Sequence, residues 1–193
     1  MANTNRPGPL SRWRLEQICG VIRAGGVIAY PTEAVWGLGC DPWNADAVER
    51  LLALKQRPQH KGLILVASSP KQIDYLLDPL ADELRQQALQ YWPGPVTCLL
   101  PDPLGLVPGL VRGAHSSIAV RISAHPVVRA LCDAAGHPLV STSCNPGARA
   151  PARQPWQVQR YFRDQLDLVV PGPLGGEQNP SRILDIVTGS WLR

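Results

Sequence analysis

Apolar positions along the chain switch between two spacings. After Ser11, a residue suited to cap a helix, Leu15, Ile18, Cys19 and Ile22 fall three and four apart on one face, and Gly25-Gly26 supplies an end. Val27 to Tyr30 is then a short unbroken apolar run, the mark of a buried strand, and it stops at Pro31. A second helix, entered at Asn44 or Asp46, carries Val48, Leu51, Leu52 and Leu54 on one side. The pattern continues with a strand over Gly62–Ala67 and helices over Pro70–Leu77 and Asp78–Tyr91. Trp92-Pro-Gly-Pro95 forces a turn into a strand over Val96–Leu100.

Pro101 to Ser116 shows little periodicity and reads as a surface loop. A strand is predicted over Ser117–Ile122, a proline-started helix over Pro126–Ala135 and a strand over Leu139–Thr142. Past a polar loop from Ser143 to Pro155, Val158, Tyr161, Phe162 and Leu166 mark a last helix, and Asp167–Val170 and Ile183–Val187 the last strands. Helices and strands alternate throughout, so the fold class is α/β with a largely buried sheet. Residues 1–10 read as an N-terminal tail and 11–193 as a single domain, the organisation that 193 residues suit.

Composition narrows the picture. With 45% hydrophobic and 18% charged residues the chain can build a core, which excludes wholesale disorder. The longest apolar run is Leu63 to Ala67, well under the roughly 18 residues of a membrane helix, and Met1 to Pro9 lacks the apolar stretch of a secretion signal. A cytoplasmic protein with no membrane partner is expected. Five scattered cysteines without a Cys-x-x-Cys pair suggest reduced, packed thiols, and the isolated His60, His115, His125 and His137 suggest surface or capping roles. No protein-held metal is therefore expected in the candidate site.

The net charge of +4 is compatible with an anionic partner, and its distribution says more. Lys55-Gln-Arg57-Pro-Gln-His60-Lys61 holds three cations and no acid. Phosphate-cradling loops of the G-x-x-x-x-G-K-[ST] and G-x-G-x-x-G kinds are absent, so a bound triphosphate would rely on such cations. A solvated basic loop is the alternative. Ser141-Thr-Ser143-Cys-Asn145 ends an apolar strand, where open α/β sheets place ligand loops, although the same residues suit a cap or turn. Thr32 and Glu33 leave the first strand and run into Trp36-Gly-Leu-Gly39, whose glycines allow a ligand to approach the backbone; a plain turn is the other reading. Arg121 interrupts an apolar strand and must meet either a structural carboxylate or an anionic ligand. Nothing in the sequence places a base beside Cys144, so a packed thiol is expected there rather than a nucleophile.

In this order the segments resemble the YrdC/TsaC family of threonylcarbamoyl-AMP synthases. The resemblance rests on Ala29-Tyr-Pro-Thr-Glu33 with Gly37-Leu-Gly39, Lys55-Gln-Arg57-Pro58 running into Lys61-Gly-Leu-Ile64, and Trp92-Pro-Gly-Pro-Val-Thr97. Ala119-Val-Arg121 with His125-Pro126, Ser141-Thr-Ser143-Cys-Asn145 and Asn179-Pro-Ser181 complete it. The match is to the short single-domain bacterial type. Ala34 and Trp36 stand where many relatives carry Thr and Tyr, and Pro146-Gly147 replaces a frequent Ser-Gly.

The resemblance implies a twisted mixed parallel and antiparallel sheet, flanked by helices, around a deep basic cleft. It implies a nucleotidyltransferase reaction in which L-threonine, bicarbonate or CO2, and ATP give threonylcarbamoyl-adenylate and diphosphate. TsaD-, TsaB- and TsaE-type partners would then modify tRNAs reading codons that begin with A. The implied ATP site is Lys55, Arg57, Ser143, Asn145 and Arg193, with Lys55 and Arg57 also catalytic and Mg2+ carried mainly by the phosphates. The implied threonine site is Thr32, Arg121, Ser141 and Ser181. An RNA-binding module without catalysis, and carbamoyl-adenylate formation on another acceptor, are the competing functions.

Overall fold

In a computed structural model, residues 9–192 are described. Ser11 caps α1 (Arg12–Arg23), its side chain accepting the Arg14 N–H, and the chain then enters β1 (Ile28–Pro31). β2 (Trp36–Gly39) follows at once and pairs antiparallel with β1. α2 (Ala45–Lys55) is capped by the Asn44 side chain and ends where Gln56 takes a left-handed conformation. β3 (Ile64–Ala67), the short α3 (Asp74–Leu77) and α4 (Asp82–Gln90) lead to β4 (Val96–Pro101). α5 (Gly109–Arg112), β5 (Ser117–Ile122), α6 (Pro126–Ala135) and β6 (Leu139–Ser143) come next. α7 (Pro155–Phe162), β7 (Leu168–Val169) and β8 (Arg182–Asp185) complete the order.

The eight strands form one mixed sheet in the order β7-β1-β2-β6-β3-β5-β4-β8. β1 with β7, β3 with β5 and β4 with β8 run parallel, and the remaining pairs antiparallel. Both faces are covered, and the strands show it residue by residue. Ile28 and Tyr30 belong to the core beneath α1 and α6, whereas Val27 and Ala29 belong to the opposite core with α2 and α7; Val66 and Leu65, and Leu139 and Val140, divide in the same way. That period of two explains why the strands read as continuous apolar runs.

Two expectations need correction. Trp36-Gly-Leu-Gly39 is a strand, and of its two glycines Gly37 borders open space while Gly39 does not. A Cβ on Gly39 would stand 2.4 Å from the Val140 carbonyl and 2.8 Å from the Tyr30 ring, so this glycine serves strand packing. The stretch from Pro101 to Ser116 is not a plain surface loop either. Val107 and Val111 are fully buried, Val111 within α5, and Asp102 folds inward to accept the Leu106 and Val107 N–H groups at 2.8 and 3.2 Å. The first strand also gains Pro31, and β6 extends to Ser143.

Candidate active site

One cavity of about 370 Å³ opens on the sheet from the β2 side across to the β8 edge. Thr32, Arg57, Arg121, Ser141, Ser143 and Ser181 all line it, though they come from segments up to 149 residues apart. Lys55 and Asn145 are not part of its wall; they lie immediately behind Ser143. Arg193 is outside the described residues.

Thr32 sits in the turn from β1 to β2. Its hydroxyl donates to the Val35 carbonyl at 2.7 Å, so toward the cavity the oxygen can only accept. Ser141 and Ser143 are on β6 and face the cavity from its centre. Ser181, just before β8, shares a 2.9 Å hydrogen bond with the buried Thr97 hydroxyl of β4. One turn, one strand and the approach to β8 thus bring four hydroxyls to one cavity.

Arg121 is 8% exposed, yet it lines the cavity. Its Nη2 lies 3.5 Å from Glu33 Oε2, and its Nε has no hydrogen-bond partner. Of the two alternatives posed for this arginine, the structural carboxylate is met, and the side chain also lines the cavity. Glu33 is itself held, accepting from the Ser123 hydroxyl at 2.6 Å and the Ala124 N–H at 3.2 Å. Burial works to raise the Glu33 pKa, but Arg121, the Ser123 hydroxyl and backbone donors outweigh it and keep the carboxyl below its ordinary value. His125 caps α6 through Nδ1 and donates from Nε2 to the Pro173 carbonyl; burial holds its pKa down, and the neutral ring satisfies both contacts.

The cationic side is built differently from what the motif suggests. Arg57 donates from Nε to the Gly62 carbonyl at 2.9 Å and from Nη2 to the Lys61 carbonyl at 3.2 Å, which fixes its guanidinium plane at the wall. Lys55 is 5% exposed and turned into the protein. Its ammonium donates to the Ser143 carbonyl and, at 2.9 Å, to the Asn145 carbonyl, with Ser143 Oγ and Asn145 Oδ1 each at 3.4 Å. Asn145 spends its amide N–H groups on the Pro146 and Arg149 carbonyls, closing the loop behind the turn. Burial depresses the Lys55 pKa to about 8, with Arg57 adding to the effect and Cys144 opposing it. Cys144, fully buried, is pushed up to about 12 by the same burial, so it is an inert thiol.

Sequence reasoning missed Arg112 and His115, which line the cavity from the segment read as a loop. They reach it because Gly62 (φ +59°) and Gly113 (φ +72°) touch backbone to backbone, a Cβ on Gly113 falling 2.5 Å from the Gly62 nitrogen. Arg112 is tied to the buried Asp102 at 3.4 Å. The wall therefore carries Arg57, Lys61, Arg112 and Arg121 against one carboxylate, Glu33. Among the described residues no group of His, Cys, Asp or Glu is arranged to hold a metal ion, and no helix is long and apolar enough to cross a membrane.

Comparisons with known proteins show which chains this one is similar to. The Sua5/YciO/YrdC family model, described as telomere recombination, matches residues 20–193. A threonylcarbamoyl-AMP synthase of Marinobacter nauticus is 64% identical over 193 residues, the full length of both chains. One of Pseudomonas putida is 54% identical over 184 residues, covering 95% of this chain and 98% of its own. Among solved structures, P. abyssi Sua5 complexed with L-threonine matches with a TM-score of 0.81 at 29% identity, over 91% of this chain; the chain spans 52% of that protein's length.

Proposed function

The chain belongs to the Sua5/YciO/YrdC family, and from that premise we infer that it is a threonylcarbamoyl-AMP synthase, the enzyme of the first step in threonylcarbamoyl-adenosine modification of tRNA. It joins L-threonine, CO2 or bicarbonate, and ATP. The observation that carries this reading is the joint presence, in one cavity, of fixed guanidinium groups for phosphate and a cluster of hydroxyls around Arg121 for an amino acid.

The chemistry needs no covalent enzyme intermediate. The threonine amine adds to CO2 and loses a proton, giving a carbamate; a carbamate oxygen attacks the α-phosphorus, and diphosphate leaves. The work left to the protein is positioning and charge balance. Arg57, Ser143, Asn145 and Lys55 form the nucleotide side in this reading, with Arg57 on the phosphates and Lys55 adding its charge from behind the Ser143–Asn145 turn. Arg121 takes the threonine carboxylate, while Thr32, Ser141 and Ser181 surround the rest of that substrate. Arg193 completes the nucleotide side by its place in the sequence.

Magnesium fits as a passenger of the triphosphate. The single carboxylate on the wall, Glu33, is already taken up by Ser123 and Arg121, and among the described residues no cluster is arranged to hold the ion. Bound to the phosphates, the ion would offset charge on the leaving diphosphate. Transfer of the product to tRNA by TsaD-, TsaB- and TsaE-type proteins in the cytoplasm completes the proposal.

The test is incubation of the purified protein with ATP, labelled threonine and bicarbonate. Threonine-dependent diphosphate release with a labelled adenylate is expected. Diphosphate without dependence on threonine would point to another acceptor, and RNA retention without any turnover to a binding module.

A further inference from the structure

Residues 186–192 double back along the edge strand β8. The Asp185 carboxylate accepts the Val187 and Thr188 N–H groups at 2.9 and 3.2 Å, and Gly189, at φ +70°, donates to the Asp185 carbonyl at 2.8 Å. The return is then stitched to the strand: Asp185 N–H donates to the Ser190 carbonyl and Leu192 N–H to the Ile183 carbonyl, each at 2.9 Å, and Leu184 bridges Trp191. Side chains alternate along such a segment, so Trp191 and Leu192 face opposite ways.

Trp191 is clamped. The Arg182 guanidinium carbon lies 3.7 Å from the indole centroid, and Tyr91 meets the indole edge to face with centroids 5.7 Å apart. Leu192, the next residue, reaches the cavity, where it continues an apolar strip made by Pro95, Leu99 and Ile183 at the β4 and β8 end. Leu192 is nonetheless 62% exposed. An apolar side chain left open on a cavity wall, and held there by an aromatic clamp, offers a surface for a flat apolar part of a ligand. Of the substrates in the proposed reaction, only ATP has one.

We propose that Trp191 is a positioning residue for nucleotide binding: the Arg182–Trp191–Tyr91 clamp sets Leu192 as the outer wall for the purine ring. The proposal rests on the synthase reading, because it takes ATP as the ligand. The polyphosphate is held elsewhere, by the cationic wall, so the two parts of ATP can be separated by experiment.

Affinities for ATP and for inorganic tripolyphosphate, measured by calorimetry, supply the test, together with the KM values for ATP and threonine. Trp191→Ala is expected to weaken ATP binding about tenfold, the loss of roughly one apolar side-chain contact. Tripolyphosphate affinity and the threonine KM should stay unchanged, and Trp191→Phe should restore most of the ATP affinity. Leu192→Ser leaves the clamp intact and should show the same split, which decides the matter if Trp191→Ala does not fold. Equal losses for ATP and tripolyphosphate, or no loss for either, would overturn the proposal. Wild-type protein that binds no ATP would sink the synthase reading and this proposal with it; wild type and variants that bind ATP equally would sink this proposal alone.

Discussion

Replacing Lys55 by methionine keeps an unbranched side chain, one atom shorter, and removes one buried ammonium. In the native fold that group is 5% exposed and its pKa falls from 10.5 to about 8. A lysine depressed in this way makes stability rise with pH. Below pH 8 both states carry the proton; between about 8 and 10.5 the unfolded chain still binds it and the native state does not. At about 1.36 kcal/mol per pH unit, the wild type should gain about 2.5 kcal/mol relative to Lys55→Met between pH 7 and pH 10. The groups facing Lys55 do not blur this window, because Arg57 stays charged and Cys144 titrates near 12. Tyrosines and other thiols titrate in both proteins and cancel in the difference. Urea unfolding of both at pH 7, 8, 9 and 10 reads it directly. If the two proteins change stability in parallel across that range, Lys55 is not buried as described and its role behind the Ser143–Asn145 turn is wrong. At pH 7.5 the same variant should form adenylate on the order of 100-fold more slowly, the usual cost of losing one charge that supports a phosphoryl-type transition state.

Other consequences are separate. Arg121→Lys keeps the charge beside Glu33 but loses the planar fork, so the KM for threonine should rise at least about tenfold while ATP affinity holds; initial-rate kinetics in both substrates will show it. Gly39→Ala must push its Cβ against the Val140 carbonyl and the Tyr30 ring, and should cost about 1–3 kcal/mol in urea unfolding. All five cysteines are buried and unpaired, and burial raises Cys40, Cys98, Cys132 and Cys144 to about 12. The native protein should therefore react with a thiol reagent at pH 8 only as fast as it opens, and release all five thiols at once in denaturant.

Much of the architecture was legible because it rests on local signals. The Ser11 and Asn44 caps, the proline start of α6 and the apolar runs of β1, β3 and β5 each follow from residues next to one another in the chain. What escaped were elements whose reason lies elsewhere. β2 carries two glycines, poor strand formers, and exists because Gly39 must slide beneath Tyr30 from the neighbouring strand. α5 is only four residues long and is held by Asp102 and by the contact of Gly113 with Gly62.

The site divides along the same line. Residue types and their order were enough to mark Thr32, Arg57, Arg121, Ser141 and Ser143, the family resemblance added Ser181, and these six line one cavity, since segments leaving a single sheet fall together once the strand order is set. No local pattern could say which way a long side chain turns. The motif alone makes Lys55 and Arg57 equivalent cations. In the fold, the Lys55 ammonium donates to the Ser143 and Asn145 carbonyls and so braces that tight turn from behind, while Arg57 is braced at the wall by Lys61 and Gly62. Likewise Arg112 and His115 reach the cavity through a backbone contact between distant segments, and Leu192 through the return of the chain along β8. Composition and spacing determine what chemistry the chain can offer; burial and hydrogen-bond demand, which depend on every neighbour at once, decide which atoms are free to perform it.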